Sequence, residues 1–259
     1  METRSGGSRI YFEVHGDGPP VLLVHGYPLS GRLWDGVVEP LASDHRLIIP
    51  DLRGHGRSDA TDSVSMDDLA QDLLAVLEAA DESRPVVLVG MSMGGYVCFA
   101  FCRHHPRRVR GLVLVDSRAG ADSVEAAEGR QRTAERVLRE GSGVVADDML
   151  GKLFASGASA DLRERWRSRM AATSPRGIAA ALRAMASRPD SEPLLGELNV
   201  PVLVIVGAED EITPVEGARG MAQTAGGTLE IIPGAGHMAA AEKPESVAAA
   251  LRRYLEEIG

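Results

Sequence analysis

The chain has 259 residues, 44% of them hydrophobic and 25% charged, enough for a globular protein with a sizeable core. Its 28 basic residues stand against 37 acidic ones, a formal net charge of -9. That balance argues against nucleic acid and anionic membrane surfaces as partners, and leaves small uncharged or cationic ligands as the natural expectation.

The first residues, Met1 to Gly7, carry no apolar leader segment, and no later apolar run is long enough to span a bilayer, so a cytoplasmic protein is expected. Short runs rich in Val, Ile and Leu then recur along the chain: Ile10 to Val14, Val21 to Val24, Leu47 to Ile49, Val86 to Val89, Leu112 to Val115, Val202 to Val206 and Leu229 to Ile232. Helical stretches fill the gaps, the pattern of a mostly parallel sheet covered on both faces, hence class α/β. The first run alternates and reads as an antiparallel edge.

Ser65 and Asp68 form a capping box for a helix over Met66 to Ala80, whose apolar face is Leu69, Leu73, Val76, Leu77 and Ala80. Pro244 opens a last helix, with Val247, Leu251, Tyr254, Leu255 and Ile258 on one face. Between about 118 and 199 the strand pattern stops and Ala- and Arg-rich helical stretches take over, so this interval is read as an inserted helical cap. Ser174-Pro175 starts one of its helices, and Leu162, Trp166 and Met170 mark the inner face of another, with Trp166 read as packing rather than pocket lining. No linker, low-complexity block or repeat divides the chain, and one domain over residues 1–259 is expected. Cys98 and Cys102, four apart on a helix, fit neither a redox pair nor a zinc site and read as core thiols.

The chemistry centres on Gly90-Met91-Ser92-Met93-Gly94, which follows the Val86 to Val89 run directly and opens a helix. A serine at so abrupt a strand-to-helix turn presents its hydroxyl for attack, and glycines two positions either side leave room where the two backbones converge. A serine hydroxyl is a weak nucleophile near neutral pH and needs a base, a group to orient that base, and donors for an oxyanion. The loop Pro233-Gly234-Ala235-Gly236-His237 delivers His237 as the candidate base. The loop Gly207-Ala208-Glu209-Asp210-Glu211 offers Asp210 as the acid, in competition with Glu209 and Glu211, which read as solvated; Asp116, at the end of the Leu112 to Val115 run, is the structural alternative. No His/Cys/Asp/Glu spacing suggests a metal, and no glycine-rich segment carries a nucleotide fingerprint.

The order Ser92, Asp210, His237, with the serine elbow, the Gly-x-x-Asp loop and the Gly-x-Gly-His loop, resembles the α/β-hydrolase superfamily over essentially the whole chain. The resemblance implies the α/β-hydrolase fold, and an oxyanion hole made by the backbone N–H groups of Tyr27, in His25-Gly26-Tyr27-Pro28, and of Met93. It also implies structural roles for His25, for His55 and for the turn Asp51 to Ser58. More narrowly, His25 to Gly31 and Gly90 to Tyr96 are similar to small bacterial carboxylesterases, to cofactor-free haloperoxidases or perhydrolases, and to 3-oxoadipate enol-lactonases. Haloalkane dehalogenases and epoxide hydrolases are set aside because their elbow nucleophile is aspartate. The expectation is therefore a cofactor-free serine hydrolase of small, short-chain esters. Enol-lactonase and perhydrolase activity, or ligand binding without turnover, are the alternatives. Crowding of the acyl side by Tyr27, Met91 and Met93 is the reason to expect short chains.

Overall fold

The computed structural model describes residues 1–259. Eight strands form one sheet in the order β1-β2-β4-β3-β5-β6-β7-β8: β1 (Glu2–Ser5), β2 (Ser8–His15), β3 (Pro20–Val24), β4 (Arg46–Pro50), β5 (Val86–Met91), β6 (Val109–Val115), β7 (Val202–Gly207) and β8 (Thr228–Ile232). β1 and β2 pair antiparallel, as do β2 and β4, and every later pairing is parallel.

The edge strand β1 has no apolar alternation and was not among the expected runs. Its register, with Ser5 opposite Ser8, leaves Gly6-Gly7 as a two-residue turn, both at positive φ (53° and 82°). Such a turn matches the twist of a hairpin only where both central residues tolerate positive φ, which glycine does.

The central strands are buried on both faces, and their alternation sends successive side chains to two separate cores. Leu22, Val24, Val86, Leu88, Leu112 and Leu114 point into one core, with α2 (Met66–Ala79), α3 (Met93–His104) and α9 (Val215–Thr224). Val21, Leu23, Val87, Val89, Val113 and Val115 point into the other, with α1 (Asp35–Ala42) and α11 (Pro244–Glu257). The capping box of α2 is formed: Asp68 N–H donates to Ser65 Oγ at 3.0 Å, and Ser65 N–H to Asp68 Oδ2 at 2.9 Å. α11 buries Val247, Leu251, Tyr254 and Leu255, and Tyr254 donates its hydroxyl to the Pro201 carbonyl at 2.7 Å. Cys98 and Cys102 are unpaired and buried within α3, and burial pushes the Cys102 thiol up to about 12.

Between β6 and β7 the chain makes α4 (Val124–Glu140), α5 (Gly143–Leu153), α6 (Ala160–Ala171), α7 (Pro175–Ala186) and α8 (Glu192–Glu197). α4 packs on α7 and α5 on α6, while α8 returns to lie against α9. Ser174 caps α7 with Pro175 at its first turn, and Trp166 and Met170 are buried in the second core. The short α10 (Ala239–Glu242) precedes α11. No helix is long and apolar enough to cross a membrane.

Candidate active site

Parallel strands bring their C-terminal ends to one edge of the sheet, and four of the connections that leave that edge carry the site: Tyr27 after β3, Ser92 after β5, Asp210 after β7 and His237 after β8, with Asp116 after β6 at the same edge. Ser92 occupies φ 50°, ψ -115°, a conformation that costs an L residue on the order of 1–3 kcal/mol. Three bonds hold it there: its N–H donates to the Val115 carbonyl at 2.9 Å, and its own carbonyl accepts from Gly95 N–H at 2.9 Å and from Ser117 Oγ at 2.8 Å. The flanking glycines are sterically required. A Cβ on Gly90 would lie 2.6 Å from the Gly94 carbonyl, and one on Gly94 would strike the Val24 carbonyl.

His237 Nε2 lies 3.0 Å from Ser92 Oγ, and its Nδ1 lies 2.9 Å from Asp210 Oδ2. The tautomer with the proton on Nδ1 donates to Asp210 and leaves Nε2 to accept from the serine hydroxyl. Asp210 Oδ1 accepts N–H bonds from Ile212 at 2.8 Å and Thr213 at 2.9 Å, and Oδ2 accepts the Thr213 hydroxyl at 2.5 Å. Burial pushes the Asp210 carboxyl up, but His237 and the Thr213 donors outweigh burial and hold it below the usual carboxylate range. The acid and histidine loops are bound to each other: Ala208 N–H donates to the Ile232 carbonyl at 2.9 Å and Glu209 N–H to the Ala235 carbonyl at 2.8 Å.

The competing carboxylates lie elsewhere. Asp116 is fully buried and accepts Gly207 N–H at 2.8 Å and Ala239 N–H at 3.1 Å, tying the end of β7 to the start of α10. Burial, and then the nearby Asp210 charge, push its carboxyl well above the usual range. Glu211 is exposed. Glu209 does more than face solvent, since its Oε2 accepts both the N–H and the hydroxyl of Ser156 in the cap, each at 2.8 Å.

Tyr27 N–H has no hydrogen-bond acceptor, and Met93 supplies the first N–H of α3, which has none within its helix. Gly26 brings the Tyr27 segment against the elbow, where a Cβ on Gly26 would lie 3.2 Å from Ser92 Cβ. His25 is loop scaffolding, its Nε2 accepting Leu52 N–H at 2.9 Å. Asp51 takes the N–H groups of Gly31 and Arg57, each at 2.8 Å.

A cavity of about 430 Å³ lies over Ser92 and His237, a size that suits a small-molecule ligand. Tyr27 lines it. Met91 and Met93 do not: each is buried, Met91 in the second core and Met93 in the first, because they flank the elbow serine and point to opposite faces of the sheet. The apolar wall expected from them comes instead from the cap residues Val145, Met149, Leu182 and Met185. Sequence reasoning also passed over Thr213, Ser117 and the cap arginines. Only Thr213 had a local signal, standing three residues after Asp210, where a hydroxyl can reach back to the carboxylate.

Residues 19–244 match the family model described as alpha/beta hydrolase fold. The chain belongs to the α/β-hydrolase family. This α/β hydrolase is 29% identical, over 95% of its length and 98% of the relative's, to the pimeloyl-[acyl-carrier protein] methyl ester esterase of Chromobacterium violaceum. Among solved structures it is similar to a thermophilic esterase from Thermogutta terrifontis with malate bound, at TM-score 0.95 and 41% identity over 99% of this chain and 97% of that one. It is also similar to a bromoperoxidase from Bacillus anthracis, at TM-score 0.85 and 27% identity over 96% of each chain. The α/β hydrolase is thus esterase-like in both sequence and structure.

Proposed function

We propose that this α/β hydrolase is a serine carboxylic-ester hydrolase acting on small esters. The observation that carries the reading is the unbroken line from Ser92 Oγ through His237 to Asp210, with steps of 3.0 and 2.9 Å, opening on one cavity. His237 takes the Ser92 proton as the oxygen attacks the ester carbonyl, and Asp210 fixes the imidazole tautomer and stabilises its cation. The backbone N–H groups of Tyr27 and Met93 receive the oxyanion. His237 then protonates the leaving alkoxide, and water, activated by the same imidazole, releases the acid from the acyl-enzyme. No step calls for a cofactor.

The esterases from Chromobacterium violaceum and Thermogutta terrifontis support hydrolysis as the main activity. The bromoperoxidase from Bacillus anthracis supports a second reading, in which peroxide replaces water at the acyl-enzyme and the product is a peracid. A panel of p-nitrophenyl esters of graded acyl length, run with and without peroxide on wild type and on Ser92→Ala, tests both. Short acyl chains are expected to be preferred, with hydrolysis faster than peracid formation. A fluorophosphonate adduct should map to the peptide containing Ser92. Pure, folded Ser92→Ala retaining activity within tenfold of wild type would refute the mechanism.

A further inference from the structure

One arginine in the cavity above Ser92 and His237 has no carboxylate partner. Arg118, Asp122, Arg130 and Asp148 all line it. The Asp122 side chain, 1% exposed, is shared by two guanidinium groups, Arg130 Nε at 2.5 Å and Arg188 at 2.7 Å. Asp148 is held by Arg136 at 2.6 Å. Arg118 forms no ion pair: a single N–H donates to the Ile212 carbonyl at 2.6 Å, and the rest of its fork of five donors has no partner in the protein. Tyr27 also lines the cavity, and its hydroxyl is buried with no partner, although a buried phenol normally finds one.

A half-buried guanidinium with no counter-ion can take up an anion, and its planar fork matches a carboxylate. On a chain with net charge -9, a bulk potential that repels anions makes such an unpaired cation more pointed. We propose that the cavity binds a carboxylate through Arg118, with Arg130 and the Tyr27 hydroxyl beside it, and that the preferred substrates are esters bearing a free carboxylate, such as monoesters of short dicarboxylic acids. The proposal rests on the ester-hydrolase reading of the same site and names its substrate class.

The competing role for Arg118 is purely structural, since its bond to Ile212 braces the loop that holds Asp210. The two roles separate in a ratio. kcat/KM for monoethyl glutarate is measured against that for ethyl valerate, in wild type, Arg118→Met and Arg118→Lys. Wild type is expected to favour the anionic ester by at least tenfold. Arg118→Met should lower the ratio by about 30-fold, the equivalent of one charge-assisted hydrogen bond, and Arg118→Lys should retain part of it. Should Arg118→Met fail to fold, Arg130→Met read on the same ratio carries the same expectation. A wild type that prefers the neutral ester, or an Arg118→Met in which both rates fall together, overturns the proposal. Calorimetry with free glutarate reads the carboxylate site without turnover. Binding to wild type, weakened about tenfold by Arg118→Met, supports the proposal even if neither ester is hydrolysed, in which case the ester-hydrolase reading is what fails. No binding of glutarate overturns the proposal.

Discussion

Thr213 Oγ1 lies 2.5 Å from Asp210 Oδ2, the same carboxylate oxygen that sits 2.9 Å from His237 Nδ1. With two backbone N–H groups on its other oxygen, the Asp210 carboxylate is held in plane towards the imidazole. Asp210→Asn is expected to lower kcat by about 10⁴ through the wrong imidazole tautomer. Thr213→Val removes one hydrogen bond to a charged carboxylate, worth about 1.5–3 kcal/mol, and should lower kcat by about 10- to 100-fold. Steady-state kinetics on one activated ester decides the order, and a Thr213→Val loss larger than that of Asp210→Asn would contradict it.

Asp116 supplies the control for the acid. Its two backbone contacts brace β7 against α10, so Asp116→Asn should reduce unfolding free energy by about 1–3 kcal/mol in urea titrations. Turnover should stay within about tenfold of wild type. A dead but stable Asp116→Asn, with Asp210→Asn active, would move the acid to Asp116.

The strain at Ser92 predicts a stability gain without function. At φ 50°, ψ -115°, glycine is relieved of a clash that alanine keeps. Ser92→Gly should melt about 2–4 °C above Ser92→Ala, the shift expected for about 1 kcal/mol in a chain of this size. Equal melting temperatures in calorimetric scans would show that the elbow stores no such strain.

Glu209 ties the acid loop to the cap through Ser156, and Glu211 faces solvent. Glu209→Ala should therefore speed amide exchange and proteolytic nicking around residues 154–158, while Glu211→Ala leaves both unchanged. Identical exchange in the two variants would show that the Glu209 contact holds nothing.

Stability should begin to fall as pH drops below about 6.5, above the range in which ordinary carboxylates titrate. Burial, and then the neighbouring His25, depress the His55 imidazole to about 3, so it stays neutral when folded and takes a proton when unfolded. Stability from this group is complete above about pH 6.5 and is lost as pH falls from there towards 3, by about 1.4 kcal/mol per unit. Glu82, held at about 2 chiefly by Arg84 against the cost of burial, adds a second loss between about 4.5 and 2. Urea midpoints for wild type should drop between pH 7 and pH 5, and His55→Asn should show a shallower drop over that interval. Parallel slopes would remove His55 from the account.

Much of the fold was legible because it is written in local pattern. Apolar runs buried on both faces become β3, β5, β6 and β7, a Ser-x-x-Asp signal becomes the cap of α2, and a glycine-flanked serine after a strand becomes the turn at Ser92. Burial of an apolar run and closure of a tight turn depend on neighbours in sequence, so sequence determines them. The edge strand β1 was not legible, because its partner β2, and not its own composition, makes it a strand. Only the tertiary structure decided that Asp116 is a brace while Asp210 meets His237, since both stand behind strands at the same edge and differ in which backbone donors reach them. It also decided that Met91 and Met93 point into opposite cores and that the cap walls the cavity. A net charge of -9 pointed to uncharged or cationic ligands, yet Arg118 and Arg130 line one cavity, where Arg118 has no carboxylate partner. Net charge sums over the whole chain, whereas a ligand responds to the charges within a few ångströms of it, and only folding sets those distances.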